Sequence, residues 1–414
     1  MTEKMMKTER TAENTNTKQT GTKRLLHCLW TALIVALPAT TNASGILWDS
    51  DDYLVAHQGL IKVYDHDFTF KGIAQNGYGD THSLTWTPEG LLRTANDTAT
   101  IMVDVGPDSS DSVHAHPYRY LRLNGSDNGI SGDIKIAPDG AMFFGMAQPF
   151  VVKKFTIGPD QTTNTAGAEV AADATEAGAW DGGTKTLRYG VTVVPNTQYG
   201  YVIWVGSEMD YISVLKPDLT QIPFDQGGVV RAGGTQTAVS MYYDPKTSTV
   251  LAGWEAAPST SGTQVAVEMD AETGVVAHKF YVPYTSGADT YLINGITRGA
   301  DGIVVAADSG NARIYIWNAD GTYVRSVTMT DNRGGFDYSG ERASTSIVWA
   351  GNRPARLLTA ERQGTDVIIS WTGVGTLQAA PFLTGPWSNV SGATNPLAIP
   401  PETQVGQQFY RLWP

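Results

Sequence analysis

Two segments of the chain, Leu84-Thr-Trp-Thr-Pro88-Glu-Gly90 and Ile134-Lys-Ile-Ala-Pro138-Asp-Gly140, align without a gap about 50 residues apart. Each is a short β-forming run that stops at a Pro, acidic residue and Gly, where a fixed φ and an absent Cβ suit a tight turn. Val191-Thr-Val-Val-Pro195-Asn, Met241-Tyr-Tyr-Asp-Pro245-Lys and Ile296-Thr-Arg-Gly-Ala-Asp301-Gly302 continue the series. The fullest copy of the unit runs from Leu292 to Met329. It holds strands at Leu292–Thr297, Ile303–Ala307, Arg313–Trp317 and Thr322–Met329, separated by turns of Asp, Asn and Gly. A four-stranded meander cannot bury both faces alone, so such a unit needs neighbours of its own kind. The spacing therefore predicts an all-β chain whose main body is a six-bladed β-propeller. Five blades are clear repeats, and Ile46 to Phe70 supplies the later strands of a sixth. Ser346-Ile-Val-Trp349 is the expected closing strand, because an open ring would leave a sheet edge unpaired.

Composition narrows the partners. Residues 1–43 hold six Lys/Arg and three Glu, leaving 23 basic and 38 acidic residues in the remainder. That balance argues against a nucleic-acid partner, which needs a basic surface. Lys23-Arg24 leads into the apolar run Leu25 to Leu37, and Thr41-Asn42-Ala43 offers small residues for cleavage. This pattern predicts a secretory signal at 1–43, cleaved near Ala43, and no membrane span in the mature form. The single cysteine, Cys28, lies inside the leader. The expected mature protein is thus an exported bacterial chain without disulfides or cysteine chemistry.

The propeller is expected over 44–350, a linker over 351–355 and a smaller domain over 356–414. Gly158 to Thr186 lacks apolar periodicity and is expected as a long excursion of the third blade. Thr330 to Ala343 is expected as a loop. Past the linker, strands are expected at Leu357–Glu361, Asp366–Trp371, Thr376–Ala380, Trp387–Val390 and Gln407–Leu412. With prolines between or beside them, they make a small C-terminal β-sandwich of fibronectin/immunoglobulin-like type. The strings from Trp371 to Ala380, Leu383 to Pro396 and Phe409 to Leu412 resemble a recurrent C-terminal β-sandwich module. It is found in secreted proteins of planctomycete- and verrucomicrobia-type bacteria, and the likeness implies an accessory role.

Ala307-Asp308-Ser309-Gly310-Asn311-Ala312-Arg313-Ile314, with Trp317-Asn-Ala-Asp-Gly321 after it, resembles an NHL repeat. That resemblance implies a six-bladed propeller of the kind often used for protein or glycan binding. Asn294-Gly295-Ile296 and Asp308-Ser309 also resemble the senescence-marker/gluconolactonase family. This second resemblance implies a divalent metal at the channel mouth, with Asn294 on the metal.

Alignment of the repeats gives a positional argument independent of either family. The two residues before each aligned apolar position should lie near the channel opening, since innermost strands line a propeller's axis. His82, Asp133, Tyr189 and Asn294 are the candidate ligand-binding set so defined. Oxygen donors with one imidazole suit Ca²⁺ or another divalent cation, held by His82, Asp133 and Asn294, or a polar ligand with no cofactor at all. Hydrogen bonding between blades explains the same residues. His114-Ala-His116 is a second candidate pair for a metal, and a solvated loop before Pro117 explains it as well. Trp86, Trp204, Trp254, Trp317 and Trp349 could stack on sugar or pack between blades. No Gly-x-Ser-x-Gly elbow, phosphate-binding glycine loop or His-Glu-x-x-His is present. The expected function is an exported binding protein for an extracellular protein or glycan. The alternatives are a metal-dependent hydrolase or lactonase with Asp133 as base, and a structural surface component.

Overall fold

The computed structural model describes residues 45–329 and 345–413, apart from 58, 77–80, 88–89, 97–100, 109–110, 124–129, 149–150, 158–162, 172–186, 208–210, 224–225, 234–237, 355–357, 372–375, 383–385 and 401–407. The chain divides into two compact units, 1–41 and 42–414, and the described residues all belong to the second. The leader expected at 1–43 and the loop expected at Thr330 to Ala343 lie outside the described residues.

Nearly every described element is a strand. After the short β1 (Gly45–Ile46) come β2 (Tyr53–His57), β3 (Leu60–Tyr64) and β4 (Phe70–Asn76). The next group is β5 (Thr81–Trp86), β6 (Leu92–Asn96), β7 (Ile101–Asp108) and β8 (Asp111–Leu123). β9 (Ile130–Ile136), β10 (Met142–Gln148), β11 (Val151–Ile157) and β12 (Thr163–Ala171) follow, then β13 (Leu187–Asn196), β14 (Gly200–Ser207), β15 (Tyr211–Leu215) and β16 (Val229–Arg231). The last two groups are β17 (Ala238–Asp244), β18 (Thr249–Ala256), β19 (Thr263–Asp270) and β20 (Val276–Val282), and β21 (Tyr291–Arg298), β22 (Val304–Asp308), β23 (Arg313–Trp317) and β24 (Tyr323–Thr328). β25 (Ser346–Trp349) pairs antiparallel with β2, Tyr53 opposite Trp349, so the late segment completes the first group as its alternating apolar pattern predicts.

The inner strands contact one another in a closed circuit: β5 on β9, β9 on β13, β13 on β17, β17 on β21, β21 on β25, and β25 back on β5. The molecule is a β-propeller. Its cores lie between consecutive sheets. Trp204 and Ile212 meet Trp254 and Val267 in one layer, and Leu251 and Phe280 meet Ala306 and Trp317 in the next. Tyr53 and Val55 meet Val305 and Ile314 where the ring closes. A fully buried side chain of this size contributes about 1.5–3 kcal/mol, so each layer outweighs any single turn or ion pair.

Tight turns join the strands. In the repeated first turn Gly90 donates to the Thr87 carbonyl and Gly140 to that of Ala137, with φ of 77° and 84°. The same turn recurs before β4 and after β15, but there Phe68 and Leu219 take the left-handed position, at φ 63° and 68°. Both side chains are buried, and Phe68 stacks on Tyr53 with ring centroids 4.6 Å apart. Burial of this size exceeds the roughly 1–2 kcal/mol that a Cβ costs in that conformation.

Two expectations are revised. The stretch expected as an excursion contains β12, which pairs with β11 along Val151 to Ile157 and touches β8 in parallel at Thr163 and Asn164. β12 lies between β11 and β8 in the sheet, and backbone pairing forms it from Ala, Thr and Gly without an apolar periodicity. Beyond the ring, β26 (Leu358–Gln363), β27 (Asp366–Trp371) and β30 (Leu397–Ile399) form one three-stranded sheet, and β28 (Thr376–Ala380), β29 (Ser388–Asn389) and β31 (Phe409–Trp413) another. β30 had no strong sequence signal because Pro396 and Pro400 flank it.

Candidate functional site in the axial cavity

The inner strands enclose a cavity of about 600 Å³ on the axis. Its position follows from the alternation of side chains along β5, β9, β13, β17, β21 and β25. One layer consists of Ser83, Asp133, Gly190, Ser240, Gly295 and Ser346, the residues just before the aligned apolar position. This layer is tight. A Cβ on Gly295 would stand 2.5 Å from the Ile347 nitrogen, and one on Gly190 would stand 3.0 Å from the Ala238 carbonyl oxygen. Its hydroxyls are turned to the frame. Ser346 Oγ accepts from the Leu84 N–H at 3.1 Å, Ser83 Oγ accepts from the Ile134 N–H at 3.0 Å, and Ser240 Oγ donates to the Ile293 carbonyl at 2.6 Å.

Two residues further along each strand, Thr85, Lys135, Thr192, Tyr242 and Val348 line the cavity. The lining ends at the first turns, at Pro138, Pro195 and Pro245, and at the segment from Gly351 to Pro354. Residues of the glycine–serine layer therefore bound the described lining at one end, its floor, and the first turns bound it at the other. The layer expected near the channel opening thus contributes Asp133, Ser240, Gly295 and Ser346 to the lining, while the side chains of His82 and Tyr189 and the loops before β5, β9 and β17 lie outside the described residues.

Asp133 lies at that floor and is buried. Its Oδ1 accepts from the Lys135 ammonium and from the Ile134 N–H, and its Oδ2 accepts from the Met241 N–H at 3.2 Å, two strands around the ring. Burial pushes its carboxyl above the usual range, against the opposing pull of Lys135 and these donors. A cation at Asp133 would have to displace the ammonium. Asn294 is half-buried and does not line the cavity. The pairing register of β21 shifts between Ile293 and Gly295, a bulge that takes Asn294 out of the ladder. Similar shifts fall between Thr81 and Ser83 and between Ala238 and Ser240. His82 and Tyr189 belong to β5 and β13, and His114 and His116 to β8; their side chains lie outside the described residues. Among the described residues, Asp49, Asp51 and Asp52 are the group of three or more side chains spaced to hold a metal ion, and none of them lines the cavity.

The tryptophans divide. Trp204, Trp254 and Trp317 are buried between sheets, whereas Trp86 lines the cavity and donates through Nε1 to the Trp349 carbonyl at 3.2 Å. Tyr201, Tyr242 and Tyr243 add three more aromatic side chains to the wall. Burial raises the Tyr201 and Tyr242 hydroxyls, assisted by Asp139 and Asp244 respectively, so both are neutral donors near pH 7. Sequence reasoning did not single out Lys135, Tyr242 or Lys246. The signal was available for Lys135, which shares the channel-facing side of β9 with Asp133 by the two-residue period of a strand.

No family model matches the sequence, and no curated protein matches it. Among solved structures, the chain is similar to the β-propeller domain of Cps50 (Swd1) from Myceliophteria thermophila, at 12% identity over 78% of this chain and 92% of that one, with a TM-score of 0.44. It is similar to Sqt1 of Saccharomyces cerevisiae at 13% identity, over 80% and 96% of the two chains, with a TM-score of 0.41. A protein from Lactobacillus plantarum aligns at 12% identity over 87% and 99%, with a TM-score of 0.42. At these values nothing of the neighbours' activities is carried to this chain. Among the described residues no helix is long and apolar enough to cross a membrane.

Proposed function

We propose that this chain is an exported, six-bladed propeller of the NHL-like kind that binds a small organic molecule or a glycan end in its axial cavity, with the two C-terminal sheets as an accessory module. The cavity carries the reading: about 600 Å³, walled by aliphatic and aromatic side chains, with a few polar groups at fixed positions. Ligand sites of soluble proteins have this size and this mixture. Thermal-shift and calorimetric screening of a metabolite and glycan library against the full chain tests it. Val348→Trp, which fills the cavity from β25, should abolish binding while circular dichroism shows the fold retained. Ligands that bind Val348→Trp as well as the parent chain would place the site elsewhere and sink the proposal.

A second reading, hydrolysis with Asp133 as general base, is favoured by one observation. A buried carboxyl held above its usual range at the floor of a cavity is a typical acid–base group. Lactone and ester hydrolysis that survives Asp133→Asn unchanged would reject it.

A further inference from the structure

The charges around the cavity are unevenly placed. Among the described residues the lining holds one carboxyl group, Asp133, and two ammonium groups, Lys135 and Lys246. This occurs on a chain with a formal charge of −12. The carboxylates beside the lining are taken up by the frame. Asp139 accepts from the Tyr201 hydroxyl at 2.9 Å and the Ala141 N–H at 3.0 Å. Asp244 accepts from the Lys246 N–H at 2.9 Å and the Thr247 hydroxyl at 3.0 Å, and it pairs with Arg298.

The ammonium groups are less fully engaged. Among the described residues Lys135 donates to Asp133, and its side chain is 18% exposed and lines the cavity. Lys246 lies 4.9 Å above the Trp349 ring and is exposed, with no carboxylate in an ion pair with it among the described residues. The rest of the lining is largely apolar, with Ile136, Val193, Pro195, Ile296, Ile347 and Val348 beside the threonines and tyrosines already named. A ligand matching both features has an apolar body and one negative head group.

We propose that the axial cavity selects a small amphipathic organic anion, an aliphatic or aromatic carboxylate, whose head group is drawn by the excess positive charge of Lys135 and Lys246. This rests on the cavity being the binding site. It adds the chemical class of the occupant, which the cavity volume alone does not specify. Lys135 is tethered by its bond to Asp133. Lys246 is the adaptable partner.

Octanoate, octanol and octylammonium share one chain and differ only in the head group, so calorimetric titration of the full chain with all three tests the proposal. Octanoate should bind about tenfold more tightly than octanol, the difference made by one charge-assisted hydrogen bond, and octylammonium should bind least. Lys246→Met is exposed and leaves the core alone. It should remove most of the octanoate advantage without changing octanol binding. Lys135→Met should do the same where circular dichroism shows it folded. Equal binding of octanol and octanoate, or preference for octylammonium, would overturn the anion assignment while leaving the cavity as a binding site. Octanoate binding that persists in Val348→Trp would show that the carboxylate sits elsewhere, and absence of binding by all three compounds would overturn the proposal as well.

Discussion

Asp308 shows how one carboxylate can serve a fold while resembling a functional motif. It is fully buried, and it accepts from the Leu292 N–H at 2.8 Å, the Gly310 N–H at 2.9 Å, the Asn311 amide at 2.8 Å and the Tyr315 hydroxyl at 3.3 Å. The Asp-Ser-Gly-Asn string is accordingly a turn that ties β21, β22 and β23 together. Asp308→Ala would leave several buried donors unpaired, and a loss of about 2–4 kcal/mol in denaturant titration is expected. Burial raises the carboxyls of both Asp308 and Asp133 above the usual range, and Asp133 is the one of the two that lines the cavity. A carboxyl raised above its unfolded value of 3.8 binds its proton more tightly when folded. Its contribution to stability is therefore complete below about pH 3.8 and is lost as pH rises through the folded value. The stability difference between the parent chain and Asp133→Asn should shift against the parent over that rise. A pH-independent difference would contradict the assignment.

Between elements, glycines and one ion cluster set how closely the sheets approach. Gly295 has no room for a Cβ because backbone of β25 stands against it, whereas Gly140 has nothing within 4 Å and only its φ of 84° to protect it. Gly295→Ala should cost about 1–3 kcal/mol through overpacking, and Gly140→Ala about 1–2 kcal/mol through conformation alone. Only the first should also perturb the cavity floor, read as a change in ligand affinity. Arg298 on β21 meets two carboxylates of the preceding sheet: Nε lies 2.8 Å from Asp244 Oδ2, an ion pair short of hydrogen-bond alignment, and Nη2 donates to Glu268. Arg298→Met would leave both acids buried without their cation, and a loss of about 3–5 kcal/mol is expected in thermal or chemical unfolding.

At the scale of the whole molecule, the ring was legible because its signals are local. A Pro-acid-Gly turn after an apolar run is specified by the φ of a few residues, and it recurs wherever β5 or β9 turns into the next strand. Ser346 to Trp349 could be assigned as the closing strand because an unpaired edge is costly and the pattern fits. The cavity was less legible. Its lining depends on residues from six strands meeting around one axis, and no single stretch records that meeting. Hence Asp133 was found, while Lys135, Tyr242 and Lys246 went unnoticed. A further test belongs at this scale. A chain ending at Pro354 retains β25 and should unfold cooperatively, whereas one ending at Ala343 lacks it and should aggregate, as light scattering would show.

The pairing of β2 with β25 also sets a clock on synthesis. β2 emerges among the first described residues, and its partner in the ladder is made roughly 290 residues later, an interval of about 15–60 s at the usual pace of elongation. Through that interval the edge of β2 is open to any other chain with a strand to offer. Crowded synthesis, rather than heat, is the condition under which this protein should need a chaperone most.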